Sequence, residues 1–268
     1  MPETVTETQS LTDLLDPARA AALHVTLNRP GPPPGPGDPI PPFWRWIYFW
    51  EPLGGDSLGA DGHPKTGLGL IPDLGLPQRM WAGGRLDIQA PLRLGQTATK
   101  TTSLAAISEK TGRTGRLGFV TLRHEIRQND TRILIEEQDL VYRAPPDDRR
   151  IPASPPARTD ETASREARFT TTQLFRYSAL TFNGHRIHYD LDYARTVEGY
   201  DGLVVHGPLL AQLLMDLAED QLGTLRNFSF RATSALMHFE TAMLCWHEDG
   251  DLWVRGPDGR LCMQARAR

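Results

Sequence analysis

Apolar and polar residues follow the period of a strand through much of the chain and the period of a helix in two places. Strand-like runs cover Gly84–Ala90, Ala98–Ile107, Arg116–Ile126 and Arg132–Arg143. The last contains IEEQDLVYR, whose alternation suits a strand with one buried face. The second half opens on another strand-like run, Arg168–Thr181, and ends on Phe228–Met237, Thr241–His247, Leu252–Arg255 and Leu261–Ala265. The clearest helix starts at Gly207 and Pro208, with proline at the first helical position, where its missing N–H costs nothing. Leu209, Leu210, Leu213, Leu214 and Leu217 follow at helical spacing and Gly223 closes the segment. That leucine stripe is core, and Asp216, Glu219 and Asp220 form a solvated face. A shorter helix is predicted from Asp16, an N-cap followed by Pro17, to about Leu27. The aromatic run Pro42–Leu53 (PFWRWIYFWEPL) is too short to assign by periodicity and reads as core more readily than as binding surface.

Two Pro-rich stretches, Arg29–Pro42 and Ala144–Asp160, cannot bury enough apolar surface to fold alone and read as extended connectors. Glu51–Gln78 is Gly/Pro-rich loop. The second connector divides the chain into a first domain over residues 1–143, a linker over 144–165 and a second domain over 166–268. Each half combines a helix with several antiparallel-type strands, an α+β pattern with helices packed on one face of a sheet. No exact internal repeat is visible.

Composition narrows the function. The 268 residues are 39% hydrophobic and 23% charged, enough to bury a sizeable core without metal or disulfide staples. Lysine and arginine total 29 against 33 acids, a net charge of -4, so there is no polycationic footprint and nucleic acid is not expected as a partner. Cys245 and Cys262 belong to no grouping of zinc-site spacing, so free thiols in a reducing cytoplasm and no metal are expected. The acidic, polar N-terminus is no signal peptide. No run of about eighteen apolar residues offers a membrane span, which makes the cytoplasm the expected location.

The candidate chemistry sits in Phe175–Leu209, FRYSALTFNGHRIHYDLDYARTVEGYDGLVVHGPL. It holds His185, His188 and His206, with Asn183, Arg186, Asp190 and a helix N-terminus at Gly207. Histidine takes and returns a proton near neutrality. An asparagine amide holds a water but is no base. Backbone N–H groups at Gly207 stabilise a developing oxyanion, and glycine there lets a substrate approach closely. Base, water holder and oxyanion donor serve the hydration of an enoyl thioester and the hydrolysis of an ester or thioester alike.

The string FNGHRIHYD (Phe182–Asp190), followed by VHGPL from Val205, resembles the MaoC-like dehydratases and R-specific enoyl-CoA hydratases. Their motif reads Gly-Asp-x-Asn-Pro-Leu-His-x-Asp, with His-Gly further on at the start of a central helix. His188 matches the family's catalytic histidine and Gly207 its oxyanion-hole glycine. Asn183 stands where the family has its aspartate, and His185 where it has asparagine. ALTFNGHRIHYD with EGYDGLVVHGPL is similar to a narrower branch, the 3-methylfumaryl-CoA (mesaconyl-CoA) and itaconyl-CoA hydratases and the mitochondrial 3-hydroxyacyl-thioester dehydratases. Leu76–Gly95 and Glu136–Arg143 look like the N-terminal domain of that branch.

The resemblance implies a double hot-dog fold in one chain, with the second unit catalytic and the first shaping the pocket. It implies a hydro-lyase acting on a short branched or dicarboxylic enoyl-CoA, with no cofactor beyond the coenzyme A of the substrate. The alternatives are a 3-hydroxyacyl-thioester dehydratase on coenzyme A or acyl carrier protein, a hot-dog thioesterase, and a non-catalytic acyl-thioester-binding partner. The family's sheets commonly associate, which implies a homodimer. His188 becomes the acid/base on water and Asn183 its holder, with His185 or Asp190 as sharers of the proton work. Arg79, Arg85 and Arg186 are candidates for gripping a carboxylate or the phosphates of coenzyme A, and His206 is a further substrate-side candidate.

Overall fold

The computed structural model describes residues 7–112, 115–144 and 154–268. Much of the connector 144–165 lies outside the described residues. Ten strands form one antiparallel sheet. Its first five are β1 (Thr8–Leu14), β3 (Gln78–Ile88), β5 (Thr97–Gly112), β6 (Gly115–Gln128) and β7 (Thr131–Arg143). The other five are β8 (Ala163–Ala167), β9 (Asn227–Ala232), β10 (Ala242–Trp246), β11 (Asp251–Arg255) and β12 (Leu261–Ala267). The spatial order is β1-β5-β6-β7-β3-β9-β12-β11-β10-β8, so each half of the chain supplies one side. The halves meet where β3 pairs with β9 over Gly83–Asp87 and Asn227–Arg231. β2 (Pro39–Ile40) and β4 (Leu92–Arg93) form a separate two-stranded ribbon.

Four α-helices accompany the sheet: α1 (Pro17–Thr26), α2 (Thr171–Leu180), α3 (Leu191–Thr196) and α4 (Gly207–Leu222). Asp16 caps α1 by accepting from the Ala18 N–H at 2.9 Å. α4 buries Leu209, Leu210, Leu214 and Leu217 against one hydrophobic cluster that also takes in Leu23, Phe43 and Trp44. That cluster spans both halves. No helix among the described residues is long and apolar enough to cross a membrane.

Two expectations need correction. Arg168–Thr181 is not a strand; Thr171–Leu180 is helix α2. Its threonines and aromatics favour strands, but Leu174, Tyr177 and Ser178 are buried at helical spacing, and Thr170 caps the first turn through the Gln173 N–H at 3.1 Å. The second concerns the acidic face of α4. Asp220 is exposed, but the Asp216 side chain is only 12% exposed and lies 2.9 Å from Arg29. Burial raises the carboxyl of Asp216 and pushes Glu219 up to about 7. Helical periodicity marks which face of α4 meets the sheet; it does not show that Arg29, at the head of the first Pro-rich stretch, covers the other.

The alternation in β7 holds, with an unexpected content. The inward positions are Leu134, Glu136, Gln138, Leu140 and Tyr142, so Glu136 and Gln138 put polar groups among the five buried side chains of that face. The aromatic run folds as a 3-10 turn over Pro42–Ile47. Phe43 and Trp44 enter the core while Trp46 and Trp50 line the cavity described next.

Replacing Arg29 with methionine leaves the Asp216 carboxylate buried without its partner. Because Arg29 is partly exposed, the expected loss is about 2 kcal/mol of stability by urea unfolding at pH 7. Unchanged stability would mean that solvent serves Asp216 equally well.

Candidate active site

The segment after α2 is shaped by its own side chains. Phe182 adopts a left-handed backbone conformation with φ 51°, and its ring stacks on Trp50 at 5.3 Å. The Asn183 Oδ1 then accepts the His185 N–H at 3.1 Å, and a 3-10 turn follows over Arg186–His188. Val204, threaded between this turn and Met237, accepts at its carbonyl from His188 Nδ1–H at 2.7 Å. That bond fixes the tautomer and leaves Nε2 as the free, basic nitrogen.

His188 is 7% exposed and stacks on His206 with ring centroids 3.7 Å apart. His206 is fully buried, its Nε2 is 2.8 Å from the Ser178 hydroxyl, and it is the residue that precedes α4. No side chain caps the N-terminus of that helix, so its first N–H groups are available. A Cβ at Gly207 would lie 2.8 Å from Cε3 of Trp81, so only glycine fits beneath that indole.

A cavity of about 1110 Å³ gathers Asn183, His185, His188 and Gly207 from the second half with Arg79 and Trp81 from the first. Arg79, half-buried, forms no ion pair among the described residues, whereas Arg45, Arg85 and Arg186 each hold a carboxylate. Four expected site residues do not line the cavity. Arg85 is on the far side of β3, bound to Glu137 and Asp139 at 2.6 and 2.9 Å. Arg186 pairs with Asp190 at 2.7 Å and lies over the Tyr193 ring. Asp190 caps α3 through the Tyr193 N–H at 3.0 Å and holds the turn in place, outside the cavity lining. His206 backs His188 instead of meeting substrate.

The sequence reading missed a pair from the first half. Asp61 and His63, in the long Gly-rich loop, line the same cavity, with Asp61 Oδ2 3.0 Å from His63 Nδ1. The His63 ring is 4.2 Å from His185, which meets His188 edge-on at 5.4 Å. The loop reaches them by a backbone crossing: Gly62 (φ 88°) lies against Gly184, where a Cβ would collide with the Gly184 carbonyl, and the Arg186 N–H donates to Asp61 O at 2.9 Å. Two glycines far apart in sequence carry no signal that they touch.

Burial dominates the electrostatics. It pushes His188 down to about 4 despite the Val204 hydrogen bond, and lowers His185 and His206 further, aided by their neighbouring imidazoles. His63 is also lowered, by burial against the pull of Asp61. The cluster is therefore neutral near pH 7. Burial works against the Asp61 carboxylate, but the His63 hydrogen bond prevails and keeps it below the usual range. The donor atoms of Asp61, His63 and His185 lie within 4.8 Å of one another, the composition of a two-histidine, one-carboxylate metal set. Arg79, whose charge acts on both imidazoles, opposes a cation there.

The crystal structure of HtdX from Mycobacterium tuberculosis aligns with a TM-score of 0.68 at 18% identity, over 98% of this chain and 99% of that one. Another M. tuberculosis structure, described as a double hot-dog fold, aligns at 0.60 and 14% identity over 98% and 94%. The fold is thus a double hot-dog. The model of the hydroxyacyl-thioester dehydratase type 2 family matches residues 43–238, and the chain belongs to that family. It is 41% identical over 265 residues to the mesaconyl-C(4)-CoA hydratase of Chloroflexus aurantiacus, covering 96% of this chain and 94% of that protein. It is a hydro-lyase.

Two outcomes follow from the buried imidazoles. Each is neutral when folded and titrates near 6.5 when unfolded, so below that pH the unfolded chain binds more protons and stability falls. Melting temperatures measured from pH 8 to pH 5 should decline increasingly below about 6.5, by up to about 1.4 kcal/mol per pH unit for each imidazole; a flat profile would mean the cluster is already charged in the fold. Dialysis against a chelator should leave hydration unchanged; a loss reversed by zinc would instead identify Asp61, His63 and His185 as ligands.

Proposed function

We propose that the protein adds water, reversibly, to a short enoyl-CoA that carries a second carboxylate, of the mesaconyl-CoA or itaconyl-CoA type. The observation that carries this reading is that a histidine with a fixed tautomer and an arginine with no ion pair among the described residues line one cavity. The likeness to the Chloroflexus hydratase supports the same substrate class.

In this reading the thioester oxygen accepts from the Gly207 N–H, and Arg79 takes the free carboxylate. His188 Nε2 removes a proton from water as the water oxygen bonds to the β-carbon. The π electrons move onto the thioester as an enolate, which the helix N-terminus stabilises. The His188 imidazolium then returns the proton to the α-carbon, and the imidazole ends neutral as it began. Asn183, with Oδ1 engaged by the His185 N–H, keeps its amide Nδ2 to orient the water. The reverse sequence dehydrates a 3-hydroxyacyl thioester. No group beyond the substrate's own coenzyme A is needed. Residues 166–268 supply the base and the oxyanion donor, residues 1–143 shape the pocket, and 144–165 connect them.

The test follows enoyl-thioester absorbance with mesaconyl-, itaconyl- and crotonyl-CoA. His188→Ala should lose about 10²- to 10⁴-fold in kcat. Arg79→Gln should raise KM for the dicarboxylyl substrates by roughly 10- to 100-fold and spare crotonyl-CoA. No absorbance loss with any of the three would sink the hydratase reading. An Arg79→Gln defect equal on all three would sink the carboxylate assignment alone.

A further inference from the structure

The cavity continues past the histidine cluster to a polar floor. Behind His188, His206 lies 4.9 Å from the Tyr177 ring, whose hydroxyl is buried without a partner. Beyond it stands Arg45, with Nε donating to Glu136 Oε2 at 2.9 Å and Nη1 to the Pro42 carbonyl at 2.9 Å. A second chain runs beside this pair: Thr102 Oγ1 is 2.9 Å from His124 Nδ1, and His124 Nε2 is 3.1 Å from Gln138 Oε1. Arg45, Glu136, Thr102, His124 and Gln138 all line the cavity, and each is 7% exposed or less. Apart from Arg45, which the Pro42–Ile47 turn supplies, these are inward-facing positions of β5, β6 and β7, where apolar side chains ordinarily stand.

We propose that this floor sets the length of acyl group the site accepts, admitting a short, polar-ended acyl thioester and turning away longer apolar tails. The proposal rests on the hydratase reading in one respect, that the acyl group enters from the His188 side. An apolar tunnel rewards each added methylene, whereas a methylene pressed against Arg45 and Glu136 gains little apolar contact and strips a buried ion pair of its surroundings. The arginine is already neutralised by Glu136, so the floor is no second carboxylate site; Arg79 keeps that role.

Calorimetric titration with saturated butyryl-, hexanoyl-, octanoyl- and decanoyl-CoA tests this without requiring turnover. An apolar tunnel tightens binding roughly fourfold per methylene. The native protein should instead show affinity that is flat or falling from hexanoyl- to decanoyl-CoA. The double variant Arg45→Met with Glu136→Leu removes both charges together, a change that buried ion pairs commonly tolerate. It should bind decanoyl-CoA at least tenfold more tightly than the native protein does, with butyryl-CoA unchanged. Native affinity that climbs through the whole series would overturn the proposal, as would a folded double variant with no gain on decanoyl-CoA, or no binding of any member. Should the variant not fold, the native series alone decides. Failure to hydrate mesaconyl-CoA would refute the substrate reading and leave the length series intact.

Discussion

Strand β3 is the element on which the site depends. It pairs with β7 on one side and with β9 on the other, so the β3–β9 pair is the seam at which the two halves join. Arg79 and Trp81 lie at its start, just before a register shift between Trp81 and Gly83. Trp81 stacks on Phe230 of β9 at 4.6 Å and covers Gly207 at the head of α4. One pairing thus delivers the uncommitted arginine and the cover over the oxyanion donor to a histidine that belongs to the other half. A shift of β3 by one residue would exchange its two faces and take both side chains from the cavity.

Within that frame, burial decides the chemistry. Imidazoles taken out of water lose their protons, and neighbouring rings depress His185 and His206 further. A base that must accept a proton from water is useful only in its neutral form, and here that form is maintained by the cost of burying charge. The carbonyl of Val204 adds the tautomer. Cations are handled differently: Arg45 is neutralised by Glu136, Arg186 by Asp190 and Arg85 by two acids, whereas Arg79 and Arg143 line the cavity with no ion pair among the described residues.

Much of this was legible from the chain. Strand alternation located the long strands, the Gly-Pro start and leucine stripe located α4, and the matches at FNGHRIHYD and VHGPL located His188, Asn183 and Gly207. Strand propensity misled at Thr171–Leu180, because threonine and aromatic side chains favour strands while tertiary burial at helical spacing chose the helix. Charge type alone could not separate Arg79 from Arg85: the residues are six apart on one strand, and only the register shift and the position of Glu137 tell them apart. Asp61 and His63 were invisible for a plainer reason. Their loop has no periodicity, and it is placed by a crossing of two glycines more than a hundred residues apart. The alternation of β7 gave no sign that Glu136 faces inward, where the structure places it.

The asparagine at position 183 follows from the same accounting of charge. An aspartate there would place a second carboxylate beside a cavity that already holds Asp61, in surroundings that disfavour buried charge. On the proposed substrate the conflict is sharper, since the acyl group brings a carboxylate of its own on the carbon that water attacks. A like charge next to it would oppose binding and raise the barrier to adding an electron-rich oxygen. An amide keeps the hydrogen bond to the His185 N–H and a donor for water while removing the charge. On the proposed substrate the departure from the family motif follows from what the cavity must hold, and the proposed mechanism assigns the proton to His188 alone.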